Sequence, residues 1–215
     1  MRYFLCDLLR KRINDQNRKR LKNKDFSLLA SNCNGGFICH DLGVKFRSPF
    51  VNLWLEPVDF LKYLENIKYY MHCELKFTTD PMYSHPIGKL DDIKIYFQHY
   101  KSQKEAEEKW IVRTSRINLD NLFIIFTDRD GCTYQELIRF DQLPYKNKIV
   151  FTNKNYPEIK SSVYIPGFEK EKSVGSCFEY VNYFSGKRRY DCFDYVSWFN
   201  NEKIKKDVNI RQEAK

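Results

Sequence analysis

Hydrophobic positions in this chain change their spacing from one stretch to the next. Phe60, Leu61, Leu64, Ile67 and Tyr70 recur at helical intervals behind Pro57, a residue favoured in the first turn of a helix. Ile93, Ile95 and Phe97 instead alternate with polar neighbours, which predicts a strand in "DDIKIYFQHY" with one face inward. "NLFIIFTD" is almost continuously apolar, as expected of a strand covered on both faces. Further strands are predicted in "FSLLASN", "FVNLWL", "ELKFT", "KIVFTN" and "SVYIP". Helices are predicted in "GGFICHDLG", closed by Gly43, and in "EPVDFLKYLENIKYYM". Two capping boxes open others: Ser102 with Glu105, for a helix to about Ile117, and Thr133 with Glu136, before "YQELIRFDQL". "DPMYSHPIG" reads as a loop punctuated by two prolines, and "DYVSWF" as a last short helix or aromatic plug.

Strands alternating with helices predict an α/β fold, a three-layer sandwich with a central, mostly parallel or mixed sheet and helices on both faces. The chain shows no internal repeat. Residues 1–24 read as a basic leader helix, 25–200 as one domain, and 201–215 as a charged tail.

Composition changes this picture in two ways. Aromatic residues make up 16% of the 215, enough for a folded core. The net charge of +9 sits almost entirely on the leader, where nine Lys or Arg face only Asp7 and Asp15, a net +7. The remaining 28 basic and 26 acidic residues leave a body of +2, without the basic stripe a nucleic-acid binder carries. Leu5, Leu8, Leu9 and Ile13 fall on one face of the leader, which fits either a solvated terminal helix or peripheral contact with an anionic membrane surface. No run is long enough to span a bilayer, no signal-peptide pattern is present, and seven cysteines, an odd number, read as reduced thiols. The expectation is a cytoplasmic protein, with residues 1–24 either solvated or in peripheral contact with the inner face of the plasma membrane.

"LLASNCNGGFICHDLG" carries the sharpest chemical signal. Cys33 falls where a strand hands over to a helix, and there unpaired amides and the helix dipole stabilise a thiolate. Gly35 and Gly36 let a substrate approach the backbone, and their amides with the Asn32 side chain can hold an oxyanion. The competing reading is a small core cysteine. A thiol nucleophile needs a base. His99 ends the "IKIYFQH" strand and Asp128 ends "NLFIIFTD", so both meet Cys33 at the C-terminal edge of the sheet if these strands run parallel. Taken singly, His99 is equally a strand-end histidine and Asp128 a turn residue of "TDRDG". Arg113 shares an apolar helical stripe with Ala106, Trp110 and Ile117, and Arg116 lies on the next row. Such arginines anchor a neighbouring carboxylate or hold a substrate's phosphate or carboxylate. Asp128 and Asp130 around Arg129 also allow a divalent metal with a sugar nucleotide, although the same letters make an ordinary turn. Zinc spacing, a P-loop and a dinucleotide fingerprint are all missing.

"SNCNGG", "DLGVKFRSPFVNLW", "PIGKLDDIKIYFQHYKSQKEAEEKW", "RINLDNLFIIFTDRDGC", "FDQLPYKNKIVFT", "YPEIKSSVYIPGFE" and "FDYVSWFN" together resemble the bacterial domain of unknown function 1919, over about 26–200. Members of that family are often labelled exopolysaccharide biosynthesis proteins, so the resemblance implies a role in capsule or surface-polysaccharide assembly. A weaker resemblance is to papain-like cysteine peptidases, whose order of nucleophile, histidine and acid or amide would map onto Cys33, His99 and Asp128. The chain lacks the Gln that papain places upstream of its cysteine. Together these readings suggest a Cys33-dependent acyl or substituent transferase acting on a polysaccharide precursor, without cofactor. A metal-dependent sugar-nucleotide glycosyltransferase and a non-enzymatic assembly module are the alternatives.

Overall fold

Four parallel strands form the centre of the protein, and their side chains divide it into two cores. In the computed structural model, which describes residues 4–203, strand β1 (Ser27–Ala30) pairs with β5 (Leu122–Thr127), β5 with β6 (Asn147–Thr152), and β6 with β7 (Ser162–Tyr164). Successive residues point to opposite faces. Leu29, Ile124, Phe126 and Val150 enter one core. Leu28, Ala30, Phe123, Ile125, Ile149 and Phe151 enter the other. The uninterrupted apolar letters of β5 are thus explained by burial on both sides.

The first core is covered by helices α3 (Pro57–Glu65), α4 (Ile67–Tyr70), α5 (Gln103–Thr114) and α6 (Tyr134–Gln142). A second, antiparallel sheet adds to the same side: β2 (Lys76–Thr78), β3 (Ile87–Leu90) and β4 (Ile93–Tyr96). The opposite core lies beneath α2 (Asn34–Leu42) and α7 (Tyr195–Phe199), with α1 (Phe4–Arg20) packed across both. The chain is therefore α/β, with helices on each face of a mostly parallel sheet.

Several local expectations are met for physical reasons visible in the backbone. Ser102 accepts the Glu105 amide at the start of α5, and Thr133 and Glu136 close a full capping box on α6. Gly43 ends α2 at φ +66°, the left-handed conformation that glycine adopts freely.

Three expectations are corrected. "FVNLWL" is not a strand: Asn52 turns left-handed at φ +62°, and only Trp54 pairs, with Tyr96. The long helix of residues 57–71 is broken at Asn66, which leaves helical geometry at φ −131°, ψ 44°. The end of the proline loop is strand β3, where Gly88 is required because a Cβ would fall 2.6 Å from Leu75 and 2.7 Å from Phe97.

The helix expected in residues 1–24 is present but is not a detached leader. Cys6, Arg10 and Asn14 form a buried stripe one turn apart. Leu9 and Ile13 are half-buried, and only Phe4, Leu5 and Leu8 face outward among its large apolar residues. Asn23 and Asn200 exchange hydrogen bonds with the neighbouring backbone and fasten the end of this segment to α7. Of the tail expected at 201–215, residues 204–215 lie outside the described residues, as do residues 1–3. All seven cysteines are free thiols. No helix of the described residues is long and apolar enough to cross a membrane.

Candidate functional site

Parallel strands place the ends of β1, β5 and β6 along one edge of the sheet, where α/β proteins build their sites. Asn32 leaves β1 and donates from Nδ2 to Thr127 Oγ1 of β5 at 2.8 Å, while its Oδ1 accepts the Asn34 amide at 3.2 Å. That pair of bonds locks the strand-to-helix turn. Cys33 sits on the turn as the N-cap of α2 and is half-buried. Neither the Gly35 nor the Gly36 amide is taken by an acceptor among the described residues. Asn34 is only 1% exposed, yet neither polar atom of its side chain finds a partner among them. A helix start with free amides, a thiol and an orphaned buried carboxamide can receive an anionic or carbonyl oxygen.

The two glycines play different parts. A Cβ on Gly35 would lie 2.6 Å from that of Ala30, so its bare backbone lets α2 press onto β1. Gly36 has ordinary room, with Val51 Cγ1 at 3.7 Å.

Charge around Cys33 comes from the "DRDG" turn. Burial pushes the Cys33 thiol above its ordinary value, the Arg129 guanidinium and its own amide pull it down, and Asp130 pushes it up. Asp130 adopts φ +58° and Gly131 φ +84°, and the Cys132 amide closes the turn on Arg129 at 3.0 Å. This geometry turns Arg129 toward the cluster, where it also donates to the Gly175 carbonyl at 3.5 Å.

Asp128 is committed elsewhere. Its two oxygens accept the Asn153 amide at 2.8 Å and the Val174 amide at 2.7 Å. The carboxyl is buried, and burial raises its pKa while those amides oppose the rise. It ties β6 and the 168–175 loop to the end of β5.

His99 lies on a different structure from the one the chain order suggests. Strand β4 belongs to the antiparallel sheet and is not a neighbour of β5. His99 is exposed in the turn after β4, with its amide donating to Asn52 O at 3.3 Å, and its ring lies near enough to His85 to help depress that imidazole, chiefly lowered by burial. Among the described residues no hydrogen bond joins Cys33, His99 and Asp128 to one another.

Its neighbour Tyr100 does reach the site. The Tyr100 hydroxyl donates to Val51 O at 2.8 Å and accepts from Arg113 Nη1 at 2.6 Å. Burial raises the Tyr100 pKa, Arg113 lowers it, and Cys33 is among the groups that raise it. Arg113 continues into a cleft of ≈ 270 Å³ lined by Phe46, Glu108, Lys109, Val112 and Arg116, with its guanidinium 5.7 Å from the centre of the Phe46 ring. Asn32, Cys33, Arg129 and Asp130 are thus gathered at one end of the site, and Arg113 and Arg116 at the other.

Sequence reasoning missed Tyr100, Asn34 and Phe46. Tyr100 follows His99 directly and could have been weighed with it. The isolation of Asn34 from partners is a tertiary property with no signal in the letters.

Residues 5–200 match the family described as "Domain of unknown function (DUF1919)". A protein of Haemophilus influenzae (strain ATCC 51907 / DSM 11121 / KW20 / Rd), described as an uncharacterized protein, is 52% identical over 179 residues, covering 83% of this chain and 86% of that one. The chain belongs to the DUF1919 family.

Proposed function

Taking that membership as the premise, we propose that the protein serves surface-polysaccharide assembly as a Cys33-dependent transferase of an acyl or similar substituent. One observation carries this reading: a half-buried thiol caps a helix whose next amides are unpaired and stand beside an unpartnered Asn34. The polysaccharide role is supported by the residue blocks shared with a family often labelled for exopolysaccharide biosynthesis.

The scheme has two steps. The thiol of Cys33 gives its proton to a base and its sulfur attacks the carbonyl carbon of an activated acyl donor. A C–S bond forms, the bond to the donor's leaving group breaks, and that group departs with the proton. A hydroxyl of the polysaccharide precursor then attacks the thioester, forming an ester and returning the thiol. The Gly35 and Gly36 amides, with the Asn32 and Asn34 carboxamides at hand, hold the oxyanion in both steps. His99, exposed in the turn after β4, makes no hydrogen bond to Cys33 among the described residues, so water takes the proton in this scheme. Asp128 holds the loop that carries Arg129 and does not orient His99.

Burial raises the thiol pKa, so the thiolate expected at the helix start is not favoured at rest and the proton must leave as the sulfur attacks. Peptide mass spectrometry after incubation with a small acyl thioester should find the acyl group on Cys33, and Cys33→Ser should abolish it with the fold intact. Equal acylation of the serine variant, or none in the parent chain, removes this reading.

A further inference from the structure

The cleft beside Tyr100 contains an excess of positive charge that the described residues do not neutralise. Lys109, Arg113 and Arg116 face it against Glu108 alone, a local net of +2. None of the three cations forms an ion pair with a carboxylate among the described residues. The half-buried Arg113 spends one nitrogen on Tyr100 and Val51, and its guanidinium leans on the Phe46 ring. Arg10, by contrast, is matched to Asp41 and Asp191, while the half-buried Arg129 and Arg189 each donate to a backbone carbonyl. A cleft of ≈ 270 Å³ has room for a diphosphate group.

We propose that Lys109, Arg113 and Arg116 form a phosphate site for the phosphorylated end of a substrate. Arginine is suited to phosphate because its fork donates two parallel hydrogen bonds, and Lys109 adds a point charge at the rim. Phe46 offers an apolar wall for the carbon atoms next to the phosphate. The cleft opens beside the Tyr100 hydroxyl, which lies within electrostatic reach of Cys33. That the bound phosphate belongs to the molecule reacting at Cys33 rests on the transferase reading; the phosphate site itself does not.

The test is calorimetric titration of the full chain with pyrophosphate at low and at physiological salt, with malonate as a carboxylate control. The parent chain should bind pyrophosphate at least tenfold more tightly than malonate, and binding should weaken with salt. Arg116→Gln and Lys109→Gln, whose side chains make no hydrogen bond or ion pair among the described residues, should each weaken it about tenfold. Arg113→Gln should weaken it further, and if that variant misfolds the other two still decide. No pyrophosphate binding, equal affinity for malonate, or unchanged affinity in Arg116→Gln and Lys109→Gln overturns the proposal. Cys33→Ser should bind pyrophosphate as the parent does. Binding without any acylation of Cys33 leaves the phosphate site standing and removes the transferase reading; acylation without pyrophosphate binding does the reverse.

Discussion

Two groups of basic residues illustrate two uses of positive charge. In the first, Arg10 and Arg188 converge on Asp41, which also accepts from Asn14 and Tyr190. Arg10 reaches Asp191 and Tyr195 as well. Two cations and two carboxylates cancel, and Arg10 is only 3% exposed. This hub joins α1, α2 and the segment before α7, regions far apart in the chain. In the second group, Lys109, Arg113 and Arg116 surround an open cleft with Glu108 as its one lining acid, and none of the three forms an ion pair among the described residues. A closed, neutral network holds the fold together, whereas an open, unbalanced one leaves capacity for a ligand.

The contrast is broken most severely at Asp41. Asp41→Ala leaves Arg10 and Arg188 buried without their shared acceptor and should cost about 3–5 kcal/mol. Urea unfolding should record that loss with pyrophosphate binding per folded molecule unchanged. The same residue gives a pH signature. Burial alone raises the Asp41 pKa, but the Tyr190 hydroxyl, Arg10 and Arg188 outweigh it and hold the carboxyl below its ordinary value. Its contribution is therefore fully present above the unfolded value of about 4 and is lost as pH falls through the lower folded value. Acid titration of stability should show a limb below about pH 4 that is shallower in Asp41→Asn.

Asp128 comes next. Asp128→Asn sets an NH₂ donor against a backbone amide at Asn153 or Val174 and should cost about 1–3 kcal/mol in the same unfolding measurement. Alkylation of Cys33 should continue in the folded fraction, which separates support of the loop from chemistry. A triad role for Asp128 would instead show as lost acylation at unchanged stability.

Cys33 reports the local field more gently. Its alkylation by iodoacetamide, followed on the Cys33 peptide, should reach half-maximum at a pH above that of an ordinary cysteine. Arg129→Met should move the midpoint up and Asp130→Asn should move it down. An unmoved midpoint in both would detach the "DRDG" turn from the thiol. The smallest effect belongs to the cleft: Arg116→Gln should change stability by no more than about 0.5 kcal/mol, because no partner in the fold loses a bond. A larger loss would make Arg116 a structural residue and weaken the comparison.

Much of the architecture was legible in the letters because it rests on short-range rules. The alternation in β4, the apolar run of β5, both capping residues and Gly43 each act within a few positions, and each gave the expected element. Cys33 was legible at the mouth of α2 for the same reason. Where local rules failed, a single backbone angle intervened, as at Asn52 and Asn66.

The sequence by itself determined an α/β fold, a cysteine at a strand-to-helix turn and a basic first helix, since spacing and turn chemistry are written residue by residue. Only the tertiary structure decided that β4 joins a separate antiparallel sheet, that Asp128 serves two backbone amides, and that Arg10 is neutralised while Arg113 and Arg116 are not. β4 turns back onto β3 across only Asp91 and Asp92, but the partners within the central sheet and the counter-charges come from a dozen to more than a hundred positions away, which no local pattern can specify.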